Sequence, residues 1–556
     1  MKNKEKYQPY QGISLTDRQW PGNRLEKAPH WCSVDLRDGN QALETPMNLD
    51  QKLRFFQKLT EMGFKTIEIG FPAASDTEYA FTRYLIEHDL IPDDVAIQVL
   101  TQSRPHIISQ TFAAVQGCKK AVIHLYNSTS VLQRDVVFSM NQDQCVDLAV
   151  SGARQIKTLS EQDIFGTEFI FEYSPESFTG TEMDFAVRIC DAVCDVWQPT
   201  PERKVIINLP ATVEMSTPNI YADQIEYFCS NTRHRPSIMV SLHTHNDRGT
   251  AVAATELGLL AGAERVEGTL FGNGERTGNA DLVALALNLF SQGVDPELDL
   301  TDINSLIEIY EETTRMEVPP RHPYAGKLVY TAFSGSHQDA INKGLAAFRK
   351  KKGPWSVPYL PIDPLDVGRS YEPIIRINSQ SGKGGIAYIL EQNYGLLLPK
   401  PVQQAFSQIV TASSDRQQRE LKADEIYQLF QDTYVNLMQP LKLVTYKEEM
   451  ISDQLHRFEA TLEHDGREVR VEGQGNGLLD AFCQALRQYL NSRIEITLYQ
   501  EHALERGSTS KAITYVQIQN GGERLYIGAG VSSSISRSSL RAVVSAVNQM
   551  LRTQTA

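Results

Sequence analysis

The sequence predicts an α/β chain: a (β/α)8 TIM barrel with an N-terminal extension over 1–300, a helical linker region over 301–435, and an α+β C-terminal domain over 436–556. Three observations carry this prediction. Between about residues 30 and 300, short β-rich runs alternate with stretches of helical periodicity, as when parallel strands are joined by crossover helices. There are eight such runs, and eight units in about 270 residues is the size of a closed (β/α)8 barrel. No Gly-rich dinucleotide loop follows the first run, which disfavours the competing doubly wound sheet.

The expected strands are Cys32–Asp35, Thr66–Gly70, Ala96–Leu100, Ala121–Tyr126, Glu168–Tyr173, Val205–Leu209, Ile238–His243 and Arg265–Thr269. Helical periodicity fills the gaps, as in Leu49–Met62, Asp76–His88 and Thr217–Asn231. From about 300 to 430 the character changes. Helical segments at Asp302–Arg315 and Glu420–Leu437 flank a Pro-rich passage from Pro354 to Pro373. Beyond about 440 lies a pseudo-repeat. Its first copy runs Phe458–Leu462, a turn at Asp465-Gly466, Glu468–Glu472, Gly473-Gln474-Gly475 and a helix Leu478–Leu490. Its second runs Ala512–Gln519, a turn at Gly521-Gly522, Arg524–Ile527, Gly528-Ala529-Gly530 and a helix Ser538–Leu551. Two hairpin–helix units of this kind can pack into one α+β domain. One Gly-x-Gly is ordinary turn chemistry. Two at matching places suggest open backbone for the close approach of a small ligand, which makes Gly473, Gly475, Gly528 and Gly530 candidate regulatory residues.

The composition, 41% hydrophobic and 22% charged, fits a soluble globular protein, and no apolar run is long enough for a transmembrane helix. Met1–Tyr10 is polar and lysine-rich and does not read as a secretory signal. The net charge of -14 argues against general nucleic-acid binding. The seven cysteines fit no zinc spacing, and Cys190 and Cys194 read as core thiols, so a reduced, cytoplasmic setting is expected.

In a barrel of this class the chemistry sits at the C-terminal ends of the strands, and here those ends are polar. Strand seven ends in His243-Thr244-His245, whose two imidazoles, two residues apart, share a side of the strand and can reach one metal ion. Alone, the pair is also compatible with a structural role. Strand one is followed by Leu36-Arg37-Asp38-Gly39-Asn40-Gln41 and strand eight by Gly272 to Asn279, and closure of a barrel makes strands seven, eight and one neighbours. An Asp, two His and an Asn oxygen form a mixed set that leaves room for water and substrate oxygens. His124, Ser174, Glu176, Asn208, Pro210 and Thr212 lie at the other strand ends, and Glu68 lies inside strand two. Singly each reads as structural; together they mark one end of one barrel.

The Arg37-Asp38-Gly39-Asn40-Gln41 string and the His243-x-His245 pair, with Gly274-Glu275-Arg276-Thr277-Gly278-Asn279, resemble the two signatures of the 2-isopropylmalate and homocitrate synthase family. The wider superfamily includes 3-hydroxy-3-methylglutaryl-CoA lyase. Trp31 to Leu43, Ser334 to Gly344 and Asn378 to Gly385 resemble the long-form 2-isopropylmalate synthases in particular, and the resemblance covers nearly the whole chain. It implies condensation of acetyl-CoA with 3-methyl-2-oxobutanoate and water to give 2-isopropylmalate and CoA, with leucine as a feedback inhibitor and a homodimeric assembly. It implies that Asp38, His243, His245 and Asn279 hold one divalent ion (magnesium, manganese or zinc), with a monovalent cation such as potassium a further candidate. Arg37 would stabilise the developing alkoxide, and Thr212 would bind the substrate carboxylate. His124, Ser174, Glu176 and Asn208 would line the oxo-acid pocket, Glu176 counting among the catalytic candidates. His337 and Tyr371, from beyond the barrel, would reach a neighbouring subunit's site; enolisation is assigned to His337, with the base left open and Tyr359 close to the tyrosine position. Asn40, where many relatives carry Glu, points toward the synthases and away from the lyase.

Homocitrate or citramalate synthase would use the same machinery on another 2-oxo acid. A lyase has no reason to carry the long C-terminal part. In barrel amidohydrolases the His-x-His pair usually ends strand one, not strand seven. A non-catalytic leucine-sensing protein would not need the intact Arg37, Asp38, His243, His245 and Asn279 set.

Overall fold

The alternating pattern becomes a closed parallel barrel in the computed structural model, which describes all residues except 1–5, 7–9, 14, 333, 352, 372–382, 418–420, 453, 505–509 and 556. Its strands are β1 His30–Ser33, β2 Thr66–Gly70, β3 Ala96–Gln102, β4 Lys120–Ser128, β5 Glu168–Glu176, β6 Val205–Ala211, β7 Ile238–Thr244 and β8 Arg265–Gly268. They pair in chain order, and the ring closes where β1 lies parallel to β8 with Cys32 opposite Glu267. The crossover helices are α1 Leu49–Glu61, α2 Asp76–Glu87, α3 Pro105–Val115, α4 Gln142–Glu161, α5 Met183–Trp197, α6 Pro218–Asn231, α7 Ala251–Leu260 and α8 Leu282–Ser291. Local chemistry sets their starts. Asn48 and Gln51 form a reciprocal capping box at α1, Asn141 and Gln144 form another at α4, and Asp281 caps α8. The face α1 buries is Phe55, Phe56 and Leu59.

The first strand differs from expectation. It ends at Ser33, and Asp35–Gly39 winds into a π-helical turn. Asp35 leaves the ladder because its carboxylate accepts hydrogen bonds from Ser33 Oγ and from the Leu270 backbone N–H in the loop after β8. This turn places Arg37 and Asp38 at the barrel mouth. The other seven strands fall where the sequence puts them, four of them running a few residues further.

The chain divides into two compact units, Met1–Tyr330 with Pro361–Ser370, and Thr331–Leu360 with Tyr371–Ala556. The stretch expected as a helical linker is shared between them. Its first helix, α9 Ile303–Thr314, packs on α1 in the barrel unit, and the Pro-rich passage is split. The second unit holds α10 Gly335–Lys351, α11 Lys383–Tyr394, α12 Lys400–Gln417 and α13 Ala423–Tyr434. These are followed by β9 Leu441–Ser452, β10 Leu455–His464, β11 Arg467–Gly475, α14 Leu478–Leu490, β12 Ile494–Ala503, β13 Ala512–Asn520, β14 Leu525–Ser532 and α15 Ile535–Thr555. Each copy of the pseudo-repeat is thus three strands and a helix; β9 and β12 each add a strand that the hairpin pattern did not contain. The two sheets, ordered β11-β10-β9 and β12-β13-β14, share a core with α14 and α15. The second sheet is covered on both faces: Val516 and Ile518 face that core, while Ile513 and Tyr515 face one built from α11, α12 and α13.

Candidate active site

The strand ends converge on a cavity of about 820 Å3 in the barrel unit, lined among others by Arg37, Asp38, His124, Ser174, Glu176, Asn208, Thr212, His243 and His245. Every barrel residue singled out for catalysis, substrate or metal reaches this mouth. Asn279 joins it through Asp38, whose Oδ2 accepts from Asn279 Nδ2 at 2.7 Å. The same oxygen lies 3.1 Å from His243 Nε2 and 3.6 Å from His245 Nε2. Ligand atoms of Asp38, His243 and His245 all fall within 4.8 Å of one another, and all three residues are buried.

Two buried polar atoms here, His245 Nδ1 and Asn279 Oδ1, have no hydrogen-bond partner among the described residues. Unmatched buried acceptors cost free energy, and both belong to groups that bind divalent ions. The residues therefore fit a metal. The Gly-rich loop serves them: a Cβ on Gly274 would come within 2.0 Å of Asn279 Oδ1, and Gly278 turns at φ +99°. The charges at the cluster are set by these contacts, and a cation would take the place of a proton on His243. Burial alone would raise the Asp38 carboxyl, but Arg37, His243 and His245 outweigh it and hold it well below the usual carboxylate range. Burial opposes charge on His243, yet its hydrogen bonds to Asp38 and Glu267 push it up to about 9. Burial and the neighbouring His243 push His245 down to about 4, leaving a neutral imidazole suited to ligation.

Around this centre the groups are held by pairs. Arg37 donates from Nε to Glu68 Oε2 at 2.6 Å and lies with Nη1 3.0 Å from Asp38 Oδ1. His124 spans Glu68 Oε1 at 2.8 Å and Ser174 Oγ at 2.7 Å, and Asn208 donates to Ser174 Oγ at 3.0 Å. Glu176 accepts from Ser128 Oγ at 2.5 Å. Thr212 Oγ1 accepts from the Ser177 N–H at 2.9 Å, which leaves its own proton to donate.

The sequence reading does not identify a buried polar layer inside the barrel: Gln98, Glu172, Arg265 and Glu267, joined by Glu68. Gln98 donates to Glu68 and to Glu267, and Arg265 donates to Gln98, Ser241 and Glu267. Burial pushes the Glu172 carboxyl well up, Glu267 adds to the rise, and Arg265 offsets only part of it. The signal was present. Glu68 interrupts an apolar run in β2, and two of the four residues of the fully buried β8 are charged; a charge inside a strand buried on both faces needs partners.

Two groups of candidates belong to the second unit. His337 and Tyr371 belong to the second unit, where His337 stacks on Tyr359 with ring centroids 4.0 Å apart. Within the Asn378–Gly385 string, 378–382 lies outside the described residues. The Gly-x-Gly residues are packed against helices on the side where a Cβ would stand, so that side offers no close approach to a small ligand. A Cβ on Gly528 would meet Ala546 N at 2.2 Å, and one on Gly530 would meet Ser538 O at 2.0 Å, both in α15. A Cβ on Gly473 would meet Ala481 O at 2.3 Å and one on Gly475 would meet Ala481 N at 2.4 Å, both in α14. The glycines let each helix backbone lie directly on its own sheet.

Comparison with known proteins agrees with this architecture. Residues 28–309 match the HMGL-like family, 327–391 the alpha-isopropylmalate synthase post-catalytic domain-like family, and 420–551 the LeuA allosteric (dimerisation) domain. The chain is 61% identical over 555 residues to a 2-isopropylmalate synthase of Acetoanaerobium sticklandii, covering 99% of this chain and 98% of that protein. It is 54% identical over 551 residues to one of Clostridium acetobutylicum, covering 98% and 99%, and 53% identical over 552 residues to one of Agrobacterium fabrum, covering 98% of each. Such identity along the full length, on a barrel whose mouth gathers Arg37, Asp38, His243 and His245, shows that the chain belongs to the 2-isopropylmalate synthase family.

Proposed function

We propose that the barrel condenses acetyl-CoA with 3-methyl-2-oxobutanoate and that leucine, acting through the C-terminal domain, restrains it. The observation that carries the chemistry is the convergence of Asp38, His243 and His245 beside two unmatched buried atoms. Together with Asn279, these residues would hold one divalent cation, which when bound supplies Lewis acidity to the oxygens of a 2-oxo acid.

The chain's own groups do the rest. The methyl group of acetyl-CoA must lose a proton, its carbon must bond to the keto carbon, and the keto oxygen must take up the electron pair of the opened C=O bond and then a proton, becoming a hydroxyl. Arg37, fixed by Glu68 and Asp38, is a permanent cation beside the place where that negative charge develops. Thr212 offers a hydroxyl proton to the substrate carboxylate. His124, Ser174 and Asn208 form one hydrogen-bonded wall for the oxo acid, and Glu176 faces the same cavity as an acid–base candidate. Water then cleaves the thioester, releasing CoA as the thiol and leaving a second carboxylate. Purified protein incubated with acetyl-CoA and a panel of 2-oxo acids should release CoA fastest with the isopropyl-bearing acid. Faster release with 2-oxoglutarate or pyruvate would reassign it to homocitrate or citramalate synthesis.

We assign His337 and Tyr371 to the completed site of a homodimer, on the resemblance and on their place outside the barrel unit. Mixing the inactive variants His337→Ala and Asp38→Ala should restore activity through mixed dimers; no recovery would place both residues in one subunit's own site or outside catalysis. Leucine regulation rests on the match of 420–551 to the LeuA allosteric (dimerisation) domain. It requires a coupling free energy, typically about 1–3 kcal/mol, and leucine inhibition that simply competed with the oxo acid would remove it.

A further inference from the structure

Glu267, on β8, is buried beside the Glu172 carboxyl and takes hydrogen bonds from four side chains. Its Oε2 accepts from His243 Nδ1 at 2.8 Å and from Asn208 Nδ2 at 3.0 Å. Its Oε1 accepts from Gln98 Nε2 at 2.8 Å and from Arg265 Nη1 at 3.0 Å. Four donors thus converge on one carboxylate, and two of them belong to residues that line the cavity. A His243 ring that gives its Nδ1 proton to Glu267 has Nε2 turned toward Asp38, where a shared cation would take the place of the Nε2 proton. Asn208, held by the same oxygen, is turned so that it also donates to Ser174, the partner of His124.

We propose that Glu267 is the positioning carboxylate of this site, fixing the metal ligand His243 and the oxo-acid wall Asn208–Ser174 through one oxygen. The inference rests on the reading that Asp38, His243 and His245 bind a divalent cation. Its rival is that Glu267 is only the buried counter-ion of Arg265. The two differ in what a neutral replacement does. A counter-ion becomes dispensable once Arg265 is neutral as well, because a buried ion pair can often be exchanged for apolar residues without loss of fold. A positioning carboxylate is missed whatever Arg265 carries.

The test is titration of the full-length protein with manganese, with free Mn2+ followed by electron paramagnetic resonance, in wild type, Glu267→Gln, Glu267→Leu, Arg265→Met/Glu267→Leu and His243→Ala. Glu267→Gln keeps one acceptor but turns an amide N–H2 toward donors, so Mn2+ affinity should fall about tenfold, and Glu267→Leu should approach about a hundredfold. The double variant, which leaves no unpaired Arg265 guanidinium in the core and so guards against failure to fold, should remain as weak as Glu267→Leu. Recovery of wild-type affinity in the double variant, or affinity within about twofold of wild type in folded Glu267→Gln and Glu267→Leu, would overturn the proposal while His243→Ala still lost Mn2+. Undiminished binding by His243→Ala would instead overturn the underlying metal-site reading.

Discussion

Strands β7 and β14 carry motifs of the same spacing in opposite surroundings. His243-x-His245 ends one and Gly528-x-Gly530 lies in the other. In each, residues two apart share a face, and the spacing says nothing more. The face of the first opens on a polar barrel mouth, where Asp38 and Asn279 meet the histidines. The face of the second is pressed beneath α15, where there is room for no side-chain atom. A motif of reactive side chains therefore announces its chemistry, whereas a motif of glycines announces only that something comes close. Here that something is the protein itself.

The comparison can be broken at either end. His243→Ala should produce the largest change, a loss in kcat/KM of at least about a thousandfold with cooperative unfolding retained, since Lewis-acid stabilisation is worth several kcal/mol. Retained activity would deny β7 its catalytic role. Next comes Gly528→Val, which drives a branched side chain into the α15 backbone and should cost about 3 kcal/mol, read as a lower denaturation midpoint of the C-terminal unit. Unchanged stability would reopen the ligand-cradle reading. The same crowding makes a bulky residue at Gly530 a probe of packing and a poor probe of leucine.

Arg37→Lys should follow, lowering kcat about ten- to a hundredfold with a smaller change in KM, because an ammonium cannot hold the forked contacts to Glu68 and Asp38. An effect confined to KM would make Arg37 a binding residue only. Smallest is Gly466→Ala. Gly466 has open space around it but turns at φ +81°, so the change should cost only about 1 kcal/mol of backbone strain. A loss as large as that at Gly528 would mean that turn geometry, and not helix contact, explains the glycines of this domain.

Much of the barrel was legible because its signals are local. Seven of eight strands could be placed from apolar runs bounded by turns, and the exception, β1, ended early because Asp35 found a partner in the loop after β8, more than 200 residues away in sequence. The metal candidates were legible because His, Asp and Asn at strand ends have few other uses. Glu68, Gln98, Glu172, Arg265 and Glu267 were harder to read. A charge inside an apolar strand shows that a partner exists, but not which one. The strands β9 and β12 escaped notice because a hairpin–helix pattern is complete without them.

By itself, the sequence determined that eight strand–helix units form a barrel, and that Arg37, Asp38, His243, His245 and Asn279 stand at strand ends where such barrels react; periodicity and turn chemistry act over a few residues and are written there. Only the tertiary structure decided that Glu267 takes hydrogen bonds from His243, Asn208, Gln98 and Arg265 at once, and that the paired glycines of β11 and β14 lie beneath helices. The physical reason is the same in both cases. A buried carboxylate and a missing Cβ acquire meaning from the atoms opposite them, and those atoms are brought there by ring closure and by helix docking, which no local stretch of sequence specifies.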